Sequence, residues 1–80
     1  MLEKRKHTRL RTETPGALIW NSGQASTDCR VVNVSDTGAC VRVANTMGIP
    51  DAVYLTMDAG SMRRCRVAWR TAHRLGVSYD

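Results

Sequence analysis

MRRCRVAWR, residues 62–70, alternates with a period of two. In an extended chain Cys65, Val67 and Trp69 fall on one side and Arg64, Arg66 and Arg70 on the other, as in a strand with one face in a core and one in water. The same period recurs on both sides of it. AVYLTM (52–57) sets Val53, Leu55 and Met57 against Ala52, Tyr54 and Thr56, and LGVSY (75–79) aligns Leu75, Val77 and Tyr79. Upstream lie ACVRVA (39–44), CRVVNV (29–34) and GALIW (16–20). In CRVVNV, Cys29, Val31 and Asn33 share one face and Arg30, Val32 and Val34 the other. The segments between are turn formers: NSG (21–23), SDTG (35–38), NTMGIPD (45–51) and DAGS (58–61). The short SDTG link predicts a hairpin, with Gly38 expected to supply any positive φ.

Six strands and no amphipathic helix in 80 residues predict an all-β fold, a small six-stranded antiparallel barrel whose closure protects the sheet edges. One domain of this size buries roughly 60–65% of its unfolded surface, so the core must be compact. Alternation with Cys65 and Val67 places Trp69 in that core, while Tyr54 and Trp20 are not assigned to a face. ETPG (13–16) divides the chain into a flexible basic arm, residues 1–15, and a barrel, residues 16–80. Beyond Met1 and Leu2 the arm carries only Leu10 as a large aliphatic, too little to pack by itself.

Twelve Lys and Arg against seven Asp and Glu give a formal net charge of +5, concentrated in residues 4–11 and 63–74. An anionic partner is expected. Cys29, Cys40 and Cys65 are an odd set without a Cys-x-x-Cys pair, which points to reduced thiols in a cytoplasmic protein and to no metal site. No apolar run reaches membrane-spanning length, so no membrane insertion is expected. No carboxylate pair, nucleophile–base spacing or phosphate loop supports catalysis, and the chain is not expected to be an enzyme.

Two short motifs remain. RKHTR places Arg5 and Arg9 at the ends of an Arg-x-x-x-Arg spacing, and NVSDTG places Asn33, Ser35 and Gly38 at a strand end and turn. Arginine forks pair with phosphate oxygens, donate to guanine O6 and N7, and stack on bases. Asn33 and Ser35 offer donors and acceptors, and Gly38 a backbone open to close approach. Each piece alone is ordinary, the first in a solvated basic tail and the second in a turn.

Jointly, inside a six-strand alternating chain, they resemble the PilZ domain family, whose pattern is RxxxR followed by (D/N)xSxxG. The resemblance implies a small β-barrel receptor for the bacterial second messenger cyclic di-GMP. It implies ligand contacts by Arg5, Arg9, Asn33, Ser35 and Gly38, and no cofactor besides that ligand. It further implies an arm that reorders on binding and relays the signal to a downstream effector protein. Lys4 stands where many members carry a further arginine, and no C-terminal helix is evident before the chain ends at Asp80. Two alternatives stand beside this reading. One is a basic barrel binding RNA or single-stranded DNA through Arg64, Arg66, Arg70 and the arm, and the other a PilZ-type scaffold that binds no nucleotide.

Overall fold

The computed structural model of the chain describes residues 10–57 and 61–80. Six strands follow one another: β1 (Leu10–Trp20), β2 (Ala25–Val34), β3 (Gly38–Arg42), β4 (Ala52–Met57), β5 (Ser61–Arg70) and β6 (Arg74–Tyr79). Every neighbouring pair is antiparallel, and the order β1-β2-β3-β6-β5-β4 closes on itself, so the expected barrel is the fold. Among the described residues there is no helix.

Period-two alternation builds the interior. Leu18, Leu55, Leu75, Val31, Val41 and Cys65 are the largest fully buried side chains. Val31, Val41 and Leu75 face one another in register across β2, β3 and β6, and Leu18 opposes Leu55 across β1 and β4. Each such aliphatic contributes about 1.5–3 kcal/mol through removal from water. Val53 and Leu55 point inward and Tyr54 outward, as the alternation of β4 requires.

β1 begins at Leu10, six residues before the expected Gly16, so the ETPG segment lies inside the strand. Pro15 is accommodated opposite Arg30 next to a register irregularity between Arg11 and Thr14, where ladder hydrogen bonds are already interrupted. The arm's residues 1–9, and with them Arg5 and Arg9, lie outside the described residues. The NSG turn forms as expected, with Asn21, Ser22 and Gly23 all at positive φ. Gly38 does not. Its φ is not in the left-handed region, and glycine is needed there for a different reason: a Cβ would collide with the Val77 carbonyl oxygen of β6.

Two β-bulges reverse the expected facing of four residues. Between β2 and β3 the pairing steps from Val31↔Val41 to Asn33↔Cys40, leaving Val32 as the extra residue. Asn33 therefore joins Cys40 on the outside, and Val34 turns in to pack on the core. Between β5 and β6 the pairing steps from Val67↔Val77 to Trp69↔Gly76, with Ala68 extra. Trp69, expected in the core, is instead on the outer face and 49% exposed.

The same bulge turns Arg70 away from the face of Arg64 and Arg66 and into register with the buried Leu75. Its guanidinium closes that end of the barrel. Nη1 donates to the carbonyl oxygens of Thr46 (3.1 Å) and Ile49 (2.8 Å), and Nη2 to the Asp51 carboxylate (3.0 Å). Val43, Thr46 and Ile49 of the β3–β4 loop are buried beneath it. Arg63, registered with the inward Leu55, sits at the other end with its guanidinium carbon 4.0 Å from the centroid of the Tyr79 ring.

Candidate ligand pocket between the bulges

The two bulges flank one depression on the outer surface, about 180 Å³ in volume. Asn33, Ser35 and Gly38, the second motif, line it from β2, the β2–β3 turn and β3. Trp69, Gly76 and Ser78 line it from β5 and β6. Registration explains the convergence. Asn33↔Cys40, Cys40↔Gly76 and Gly76↔Trp69 make one continuous row across β2, β3, β6 and β5.

Each glycine has a steric reason. The Trp69 indole lies over Gly76 so closely that a Cβ at residue 76 would stand within its ring, its Cδ1 only 2.8 Å away. The face of the indole away from Gly76 is thus left as a flat aromatic surface beside polar edges. Gly38 lets β3 pack onto β6, where a Cβ would also crowd the Ser78 Cα at 3.1 Å.

Ser35 shapes the turn. Its backbone N–H donates to the Gly38 carbonyl (2.9 Å), and its Oγ accepts a long contact from the Thr37 N–H (3.4 Å) and reaches the Gly38 carbonyl at 3.4 Å. The turn-residue reading and the ligand reading are compatible, because these contacts hold the hydroxyl at the pocket rim. The Thr37 carbonyl accepts from the Tyr79 N–H (2.9 Å), which ties the turn to the end of β6.

Among the described residues the pocket lining contains no charged side chain. Basic residues flank it instead. Arg66 is the register partner of the lining residue Ser78, and Arg42 and Arg74 lie two positions along their strands from Cys40 and Gly76. Leu10, the first residue of β1, is registered with Val34, between Asn33 and Ser35 in sequence. Leu10, the first described residue, therefore lies beside the pocket.

Of the five expected site residues, Asn33, Ser35 and Gly38 are brought together, whereas Arg5 and Arg9 lie outside the described residues. Trp69 was missed because strict alternation sent it inward. Only the strand pairing, which sets Gly76 opposite Trp69 with Ala68 as the extra residue, reveals the reversal.

Among the described residues no group of His, Cys, Asp and Glu could hold a metal ion, and no helix is long and apolar enough to cross a membrane. The family model described as PilZ domain matches residues 3–80. No curated protein matches the chain.

Proposed function

The chain belongs to the PilZ domain family, and from that premise we propose that it is a non-catalytic receptor for cyclic di-GMP that relays occupancy to an effector protein. One observation carries the reading: Asn33, Ser35 and Gly38 of the motif share a pocket with an exposed indole, Trp69, beside the start of β1.

The chemistry fits a guanine dinucleotide. A base stacks on the outward face of Trp69, an interaction of about 1–3 kcal/mol in other nucleotide-binding barrels. Asn33 and Ser35 supply donors and acceptors to its edge or to ribose-phosphate oxygens. A volume of about 180 Å³ is below the roughly 300–1,000 Å³ of pockets that enclose a drug-sized ligand, so it takes one part of the dinucleotide. The rest, with its two phosphodiesters, lies over the rim and needs cations beyond the described lining residues.

Arg9 precedes Leu10 by one peptide unit, about 3.8 Å, and Arg5 precedes it by five residues, so both are tethered within reach. Their guanidiniums clamp the phosphates and guanine edges, and a change in the conformation of this segment on binding presents a new surface to the effector.

The nucleic-acid alternative loses a main support, since Arg70 is bonded to the β3–β4 loop rather than displayed beside Arg64 and Arg66. Chemical-shift mapping with cyclic di-GMP, against GMP as control, tests the proposal. Shifts centred on Asn33, Ser35, Gly38 and the Trp69 indole N–H support it, and their absence at ligand concentrations well into the high micromolar range overturns it.

A further inference from the structure

Along the same three strands, one outward position beyond the pocket row, Arg30, Arg42 and Arg74 are registered side by side across β2, β3 and β6. All three are exposed. Arg30 and Arg42 line an open concavity of about 450 Å³ together with Asp28, Val43 and His73. The His73 ring bonds the Ala44 carbonyl through Nδ1 (2.9 Å), which fixes the imidazole at the edge of this stripe. Like charges placed directly opposite in an antiparallel pair are normally disfavoured, and two consecutive arginine pairs form a concentrated positive line.

We infer that this stripe is a docking surface for an acidic segment of a partner protein, and that cyclic di-GMP in the neighbouring pocket weakens the docking. The second half rests on the function proposed above; the first does not.

Two features favour an acidic polypeptide over a nucleic acid. Among the described residues the concavity holds no Trp, Tyr or Phe, and its one ring, the His73 imidazole, is tied to the Ala44 carbonyl, while Asp28 on its wall repels a continuous phosphate backbone and leaves separately spaced carboxylates room to reach the arginines. Carboxylates meet guanidinium forks in a bidentate geometry that suits this row.

The coupling follows from distance. Two residues along a strand span about 6.8 Å, so phosphodiesters over the pocket rim lie within a Debye length, about 8–10 Å, of the stripe. Each negative charge there lowers the attraction felt by a carboxylate, and two such charges reduce affinity about three- to tenfold at low salt. Linkage makes the effect reciprocal, so the acidic segment weakens cyclic di-GMP by the same factor.

The test is a titration of isotope-labelled protein with an oligoglutamate peptide, in parallel with oligothymidylate of similar charge. Peptide-induced shifts at Arg30, Arg42, His73 and Arg74, lost in Arg42→Glu and Arg74→Glu variants that keep the wild-type spectrum elsewhere, support the docking surface. Absence of binding, equal binding by the variants, or tighter binding of oligothymidylate at the same residues overturns it. Repeating the peptide titration with saturating cyclic di-GMP tests the coupling, which is overturned if the dinucleotide binds at the pocket yet leaves peptide affinity unchanged. If cyclic di-GMP does not bind at all, the receptor function and the coupling both fail, and the peptide titration alone decides the docking surface.

Discussion

The indole of Trp69 covers Gly76, its register partner in β6, in the space a Cβ would occupy. The pair fixes the floor of the pocket and the aromatic surface at once. Gly76→Ala is expected to lift the indole away, shift its N–H resonance and weaken cyclic di-GMP binding. An unshifted indole resonance in the variant would contradict the stacking geometry.

Trp69→Ala separates binding from folding. The side chain is half-exposed, so the loss of stability should be small, within about 1 kcal/mol, whereas ligand affinity should fall by about 1–3 kcal/mol. Denaturant unfolding and calorimetry on the same sample measure both. A large stability loss with unchanged affinity would return Trp69 to a packing role.

Arg70 is expected to matter to the fold and not to the ligand. Arg70→Met keeps an aliphatic stem at the position registered with Leu75 but removes the donors to Thr46, Ile49 and Asp51. The Arg70 side chain is about a third exposed and that of Asp51 mostly so, which places the cost at the lower end of about 1–3 kcal/mol and leaves Asp51→Ala nearly neutral. Faster amide exchange at Ile49, whose N–H bonds the Thr46 carbonyl, is the local signature.

Alkaline pH should destabilise the barrel. Burial, reinforced by the Asp28 carboxylate, pushes the Cys29 thiol from its ordinary value near 9 up to about 11. The folded state therefore holds this proton more tightly than the unfolded chain, so its contribution is complete below about pH 9. It is lost as pH rises towards about 11, a change of up to about 2–3 kcal/mol. Cys65 is shifted in the same direction, first by burial, and adds to the slope. Urea unfolding across this range should show a shallower decline in Cys29→Ala than in the native sequence, and equal slopes would rule the thiol out as a cause.

Most strands were legible because each buries one face, and a period of two in Val, Leu and Cys records that directly. The turns were legible from Asn, Ser and Gly, and the motif from its spacing. The bulges at Val32 and Ala68 were not, since an inserted residue leaves no mark in hydrophobic alternation. That single gap accounts for the misplacement of Asn33, Val34, Trp69 and Arg70. The early start of β1 was hidden by Pro15 and Gly16, which read as breakers until the adjacent irregularity and the tight approach of Gly16 to the Thr56 carbonyl give them a place in the strand.

The most direct measurement is calorimetric titration of cyclic di-GMP into the native protein, Arg9→Ala and Arg64→Ala, with GMP as control. Arg64 is the suitable reference cation, because it pairs with Asp80 (3.3 Å) and is registered with Tyr54, whereas Arg66 opposes the pocket residue Ser78. The account predicts binding of cyclic di-GMP over GMP, a loss in Arg9→Ala of several kcal/mol at about 1.5–3 kcal/mol per charged hydrogen bond, and little change in Arg64→Ala. No heat with cyclic di-GMP, or equal losses in the two variants, would contradict it.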